Sequence, residues 1–440
     1  MDDFVQCLSR VRSAWQGAGA PRRLLVALSG GVDSVALFLL LEKLAREEDL
    51  SLGCVHVDHG LRETSRRDAI FCRTLCEKHG VSFHLKKVQL PSASENHARE
   101  ARYAAFAEAY QAFHADALAL AHHKSDQAET VLLHLFRGAG SRGLGGMRPV
   151  STATVQGVSM QLFRPILNME KSQLQCIVET EGCGSCQDET NASDAYLRNF
   201  LRLNILPKVE ERIPKAEESL CKTAAILQAE NDWMDGEANA FLQKNAFKSP
   251  SVTYLDYPAF SVLHVALRRR IMQMFIPVEM DFSEVLSAAD IQPGAFVNLK
   301  QGFRLNATNS RIYLLPSVLQ QLPIRTLQVQ EASGEATGDG KYSQRMPKAL
   351  YAACVLRYRK PGDWIQPFGM QGKKSLQDYL VDRKIDAPLR DHLPLLCLES
   401  EVIWVMGVGA SEKVRRKNDT EEIMLVYPDR LPFDRRGKGD

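Results

Sequence analysis

No stretch of this 440-residue chain stays apolar for long. The longest such run, Val35 to Leu41, falls far short of the roughly 20 residues that cross a bilayer. No transmembrane helix and no membrane partner are therefore expected. Neither sign of charge dominates: 55 Lys and Arg against 53 Asp and Glu give a formal net charge of +2. That balance argues against indiscriminate binding to polyanions, while leaving room for local basic clusters. Met1-Asp2-Asp3 lacks the basic and then apolar segments of a secretory leader, so the expected compartment is the cytoplasm. In that reducing compartment the 10 scattered cysteines are expected as free thiols, most of them buried. One Cys-x-x-Cys pair stands out, Cys183 and Cys186. Internal repeats and low-complexity tracts are missing. With 45% hydrophobic and 25% charged residues, disordered, collagenous and coiled-coil chains are excluded.

What is present is alternation. Strand-like runs at Leu24–Leu28, Leu52–Val57, Ser82–Val88 and Ala117–Ala121 alternate with helical patterns over Ser34–Ala45, Ser65–His79, Glu95–Phe113 and Asp126–Phe136. Such alternation predicts βαβ units: an α/β fold with an N-terminal parallel sheet and helices on both faces. Ligands of such sheets bind at the carboxyl ends of the strands. From about Ala216 to Asn245 the pattern changes to long helices, Gln320–Leu350 reads as a polar linker region, and short strand-like runs follow Val355. The expected organisation is an α/β domain over 1–212, a helical domain over 213–325, a linker over 326–350 and a small α+β domain over 351–440.

The strongest local feature is Leu25-Val26-Ala27-Leu28-Ser29-Gly30-Gly31-Val32-Asp33-Ser34, a strand that runs through two glycines into a helix start. The glycines allow a tight turn with unshielded N–H groups, and the helix N-terminus adds its positive end, so the segment is an anion cradle. Ser29 and Ser34 add hydroxyl donors. Asp33 would repel phosphates unless a bridging Mg²⁺ intervened, which makes it a candidate metal ligand. No Gly-Lys-Ser/Thr follows, so this is not a Walker A loop.

This segment closely resembles the PP-loop of the ATP pyrophosphatases, which cleave ATP to AMP and pyrophosphate and activate a substrate as its adenylate. Further segments sharpen the resemblance: His56-Val57-Asp58-His59-Gly60-Leu61-Arg62, Glu95-Asn96-His97-Ala98-Arg99-Glu100-Ala101-Arg102-Tyr103, and His122-His123-Lys124-Ser125-Asp126-Gln127-Ala128-Glu129. The glycine-rich Arg137–Met147 loop, Arg164-Pro165, Asp188-Glu189-Thr190-Asn191 and Arg198-Asn199-Phe200-Leu201-Arg202 follow. In this order they resemble the tRNA(Ile)-lysidine synthetase family over about the first 210 residues. Arg359-Lys360-Pro361-Gly362-Asp363 and Lys373–Leu380 resemble its terminal domain.

The resemblance implies a ligase that uses ATP and Mg²⁺ to adenylate O2 of the wobble cytidine in the isoleucine tRNA with a CAU anticodon. The ε-amine of free L-lysine then attacks C2 and expels AMP. Under that reading Ser29, Gly30, Gly31, Val32, Asp33, Ser34, His56 and Asp58 bind ATP, and Asp33 and Asp126 share Mg²⁺. Arg99 and Arg102, at helical spacing, stabilise the charge of the adenylation step; outside the motif such a pair ordinarily faces solvent. Glu129, one turn beyond Asp126, holds or deprotonates the lysine ammonium. Arg198, Arg202, Arg359, Lys373 and Lys374 contact tRNA, and domain 351–440 docks it. The Arg415-Arg416-Lys417 run is either a solvated face or a phosphate contact. His122 and His123 lack cysteine partners at zinc spacing and read as polar strand-end residues near ATP.

Two departures from the family pattern stand out. Ser125-Asp126 replaces the common Asp-Asp, removing one carboxylate, and Cys183-Gly184-Ser185-Cys186 is not expected there. The cysteine pair gives some footing to an alternative, a PP-loop enzyme that thiolates tRNA. An inactive tRNA-binding module is the reading from another class; the retained Ser29, Asp33, Ser34 and Asp126 argue against it.

Overall fold

The computed structural model describes residues 2–58, 64–88, 95–186, 197–248, 253–316, 324, 326–332, 338–415 and 421–428. The motif residues His59–Arg62, Asp188–Asn191, Arg416 and Lys417 lie outside the described residues, as do the side chains of Glu95 and Asn96. Two compact units make up the chain, Met1–Asp232 and Trp233–Asp440.

The first unit runs α1 (Asp2–Gly17), β1 (Arg23–Ala27), α2 (Val32–Glu47), β2 (Ser51–Asp58), α3 (Thr64–Lys78), β3 (Ser82–Lys87), α4 (Glu95–Phe113), β4 (Ala117–Ala119) and α5 (Lys124–Phe136). Next come α6 (Ser141–Leu144), β5 (Val150–Val155), β6 (Val158–Phe163), α7 (Lys171–Thr180), α8 (Leu197–Phe200), a π-helical turn (Leu201–Ile205), α9 (Leu206–Arg212) and the start of α10 (Ala216–Asn245). Strand order is β3-β2-β1-β4-β6-β5. The pairs are parallel except the edge pair β5–β6, which is an antiparallel hairpin. That hairpin is absent from the sequence expectation. Its two-residue loop, Gln156-Gly157, has φ of 51° and 80°, the left-handed pair that a tight hairpin turn requires.

Alternation along β1 explains the layering. Leu24 and Val26 join a core with Val11 of α1, Phe38 of α2, Cys72 of α3 and Leu174 of α7. Leu25 points the other way, into a core with Phe106 and Phe113 of α4. Helices therefore cover both faces, as expected of an α/β sheet. The chain leaves β1 toward β2 on one side and returns to β4 on the other, so the two crossovers diverge at the β1/β4 boundary. That point is where such folds open a ligand crevice.

In the second unit the long helix α10 is joined by a sheet that the sequence reading did not contain. β7 (Ala246–Lys248), β8 (Thr253–Asp256), β9 (Phe296–Asn298), β10 (Phe303–Ala307) and β11 (Arg311–Pro316) pair in the order β7-β8-β11-β10-β9. Helices α11 (Tyr257–Ser261), α12 (Val265–Phe275) and α13 (Phe282–Ala289) belong to the same region. Phe260, Ile271, Phe275, Leu305 and Ile312 form its core. The stretch 326–350 is not simply a linker: it holds β12 (Gln328–Glu331), β13 (Ser343–Pro347) and the start of α14 (Lys348–Ala352). All four residues of β12 are exposed, so no apolar alternation marked it as a strand. The small α+β region contains β14 (Val355–Arg357), β15 (Trp364–Ile365), β16 (Lys374–Ser375), α15 (Leu376–Asp382), β17 (Leu395–Leu398), β18 (Glu401–Val405), β19 (Gly409–Ala410) and β20 (Glu422–Val426). β20 is the middle strand between β12 and β13.

Candidate active site

The phosphate-loop candidate leaves the carboxyl end of β1. Gly30 has φ of 93°, a left-handed conformation that favours glycine, and its carbonyl accepts the Cys186 N–H at 2.8 Å. A Cβ there would lie 3.1 Å from Cys186 Sγ and 3.3 Å from Cys72 Sγ. Ser34 Oγ accepts the Gly30 N–H at 3.1 Å and donates to the Gly31 carbonyl at 2.9 Å, so Ser34 braces the turn from inside. Ser29 Oγ lies 3.0 Å from Ser34 Oγ. The N-cap of α2 is Gly31, which has no side chain to cap the first-turn amides. His56 is buried and its Nδ1 hydrogen donates to the Leu28 carbonyl at 2.8 Å, tying β2 to the root of the loop.

Asp33, on the first turn of α2, has a buried Oδ1 with no hydrogen-bond partner. Its Oδ2 lies 3.7 Å from His123 Nε2, which lies 3.5 Å from Asp126 Oδ2. His123 Nδ1 accepts the Ser125 N–H at 3.2 Å as the cap of α5, and the Asp126 carboxylate accepts the His123 N–H at 3.0 Å. Because Nδ1 accepts, the ring hydrogen sits on Nε2, between the two aspartates. His123 is thus the bridge between the two strand-end loops.

Asp126 and Glu129 lie one turn apart on α5 and share two arginines. Arg198 Nε donates to Glu129 Oε2 at 2.7 Å and its Nη2 to Asp126 Oδ1 at 3.2 Å. Arg202 Nε donates to Glu129 Oε1 at 2.5 Å and its Nη2 to Asp126 Oδ1 at 3.2 Å. The two arginines, four residues apart across the start of the π-helical turn, converge on one pair of carboxylates. The sequence expectation gave these arginines to tRNA; in the structure they compensate two buried negative charges. Burial alone would raise the Asp126 pKa, but His123 and Arg198 outweigh it and hold the carboxyl below its ordinary range. Glu129 is 0% exposed with both oxygens engaged, so it is no accessible general base. Ser125, where the family pattern has a carboxylate, donates its hydroxyl to Glu217 on α10 at 2.7 Å.

A cavity of about 390 Å³ opens at these strand ends. Ser29, Gly31, Asp33, Ser34, His56, Asp58, Arg99 and Arg102 all line it, so the candidate ATP residues of three segments meet in one space. Arg99 and Arg102 are exposed on the fourth helix, and the Arg99 guanidinium lies 4.9 Å from the Tyr103 ring centroid. Sequence reasoning placed His123 near ATP but did not reveal that it bridges two aspartates, and it gave Arg164 no role beyond its place in a motif.

The second unit carries its own cavity, about 580 Å³, lined by Arg359, Lys360, Trp364, Lys373 and Lys374. Lys373 Nζ lies 4.0 Å from the Trp364 ring centroid. Arg359 pairs with Asp391 and donates to Gln377 Oε1 at 2.7 Å, while Lys374 pairs with Asp382. Four basic residues therefore rim one hollow, and Arg359 and Lys374 among them are in surface ion pairs that an anion can displace at little cost. Among the described residues no helix is long and apolar enough to cross a membrane, and no group of three or more His, Cys, Asp and Glu forms a metal cluster.

A PP-loop domain model matches residues 7–209 and a TilS substrate C-terminal domain model matches residues 354–427. A tRNA(Ile)-lysidine synthase of Symbiobacterium thermophilum is 33% identical over 462 residues, covering 93% of this chain and 94% of its own. One of Dehalococcoides mccartyi is 29% identical over 447 residues, covering 92% and 94%, and one of Nitrosomonas europaea is 30% identical over 408 residues, covering 88% of each. The matched ranges take in the phosphate loop, the paired arginines and the basic hollow, and the chain belongs to the tRNA(Ile)-lysidine synthase (synthetase) family.

Proposed function

We propose that this protein ligates lysine to C2 of the wobble cytidine of a CAU-anticodon isoleucine tRNA, with ATP as the activator. The observation that carries the reading is the convergence of an uncapped helix N-terminus, Asp33, Arg99 and Arg102 on one cavity, in a chain related end to end to lysidine synthases. Adenylation joins O2 of cytidine to the α-phosphorus and breaks the bond to pyrophosphate. The amides of Gly31 to Ser34 hold the leaving pyrophosphate, and Arg99 and Arg102 stabilise charge at the α-phosphate. The orphaned Oδ1 of Asp33 fits Mg²⁺, a hard cation that takes oxygen ligands and keeps waters and phosphates as the rest of its shell. Asp126 fits less completely, since its Oδ1 already accepts from two guanidiniums. Bound there, Mg²⁺ neutralises phosphate charge beside Asp33.

The lysine ε-ammonium must find a carboxylate and lose a proton before it attacks. Asp126 is 9% exposed and Glu129 0%, so Asp126 meets the ammonium; His123 and Arg198 hold it ionised, and Glu129 anchors Arg198 and Arg202 beside it. Residues 1–212 perform the chemistry, 213–325 contribute to tRNA binding, and 351–440 dock the tRNA through Arg359, Lys373 and Lys374. The thiolation alternative needs a nucleophilic thiolate; burial, with Asp68 alongside, pushes the Cys186 thiol up to about 12, so it stays protonated. The test is incubation with ATP, Mg²⁺, labelled lysine and the CAU-anticodon tRNA, followed by nucleoside analysis. Labelled lysidine with one pyrophosphate per turnover is expected; a thiolated base, or no label in RNA, overturns the reading.

A further inference from the structure

We propose that His122 is a catalytic hydrogen-bond donor to the α-phosphate of ATP, and that Arg164 is the positioning residue that keeps it one. The proposal rests on the adenylation reading above and adds residues to it. Arg164 follows β6 and is 7% exposed. Its Nη1 donates to the Arg148 carbonyl and to Ser151 Oγ, both at 2.9 Å, which fixes the guanidinium against β5. Its Nε then donates to His122 Nδ1 at 3.3 Å. A guanidinium has donors only, so Nδ1 must be the bare, accepting nitrogen of the ring. The ring hydrogen is thereby forced onto Nε2, at the opposite edge. Burial is the first cause that pushes the imidazolium pKa down, to about 3, and the Arg164, Arg198 and Arg102 guanidiniums add to it against the pull of Asp126. The ring therefore stays uncharged.

His122 lines the same cavity as Ser29, Gly31, Asp33, Arg99 and Arg102. An uncharged donor held rigidly among cations suits an oxygen that gains negative charge during reaction. It needs no solvent reorganisation as the charge develops. The phosphate loop accounts for the pyrophosphate end, and His122 follows β4, across the β1/β4 opening, on the side of Asp126. That places it where the α-phosphate bridges the two halves of the site. The β5–β6 hairpin thereby gains a role in the chemistry, because its Ser151, with the Arg148 carbonyl just before it, anchors the arginine that sets the tautomer.

Two measurements on the full chain test this. In ¹⁵N-histidine spectra of the wild type, the His122 signal, identified by its loss in His122→Gln, is expected as the neutral Nε2–H tautomer, and Arg164→Leu is expected to convert it to a tautomer mixture. In single-turnover pyrophosphate release with tRNA and ATP, His122→Phe is expected to slow the step about 100-fold while changing KM for ATP only slightly. His122→Gln, whose amide nitrogen falls near Nε2, is expected to recover a large part of the rate, and Arg164→Leu to fall between. A wild-type Nδ1–H tautomer, a wild-type rate in His122→Phe, or His122→Gln no better than a folded His122→Phe overturns the proposal. If His122→Phe does not fold, the tautomer spectra and the rates of His122→Gln and Arg164→Leu decide: wild-type rates in both overturn it. If the wild-type protein itself releases no pyrophosphate, the adenylation reading fails instead, and the spectra still decide the tautomer.

Discussion

One oxygen, Asp33 Oδ1, is buried without a partner, a condition that costs roughly 1–3 kcal/mol unless a ligand relieves it. Such a group calls for an explanation, and an ion or ligand taken up from the cavity is one. Asp33→Asn is expected to abolish pyrophosphate release while tRNA affinity, measured by filter binding, changes less than about twofold; normal release in this variant contradicts the role given to Asp33. Gly30 makes a second residue-scale case. Its left-handed φ strains any side chain, and a methyl group there would press on the sulfur atoms of Cys186 and Cys72. Gly30→Ala is expected to cost about 1–2 kcal/mol from backbone strain alone and to weaken ATP binding at least tenfold by calorimetry. Unchanged ATP affinity would show that the turn is not the phosphate cradle.

At the scale of elements, α5 and the helix bearing the two arginines form one electrostatic unit. Removing one arginine leaves Glu129 with a single partner in a fully buried position. Arg202→Leu is therefore expected to destabilise the first unit by about 3 kcal/mol, read as a shift in its denaturant midpoint, and to lower lysine incorporation. A variant with wild-type stability would mean the pair is solvated in solution. The sequence made α5, α10 and four of the five parallel strands legible, because their apolar spacing is strong and the glycine and aspartate punctuation is clear. It did not reveal that Arg198 and Arg202 fold back onto Asp126 and Glu129, since residues about 70 positions apart carry no mutual signal within one chain. The β5–β6 hairpin had a readable cue in Gln156-Gly157 between alternating residues, and it was missed. β12 had none: a strand exposed at every position shows no period.

Across the whole molecule, a net charge of +2 leaves tRNA affinity to local clusters. Lys373→Ala in the second unit is expected to weaken tRNA binding severalfold, to reduce its salt slope by about one, and to leave ATP affinity unchanged. An unaltered slope would remove Lys373 from the interface. The same unit carries a pH-dependent weakness. Burial pushes the His392 pKa down to about 4, and its Nδ1 has no partner. An unfolded histidine titrates near 6.5, so the unfolded state takes up the proton first as pH falls. Stability is full above about pH 6.5 and declines toward pH 4, by roughly 1.4 kcal/mol for each unit of pKa difference. His392→Leu is expected to flatten that decline in thermal unfolding followed from pH 7 to pH 4.5; an equally steep curve would assign it to other groups.

The placement of β20 between β12 and β13 has a consequence for biosynthesis. Its five residues are translated about 75 codons after β13, and neither neighbour has another strand to pair with in that sheet. A nascent polypeptide emerging from the ribosome can therefore assemble its nucleotide-gripping half early. The three-stranded sheet of its second unit must wait, two ribbons unjoined, until the strand that belongs between them leaves the exit tunnel.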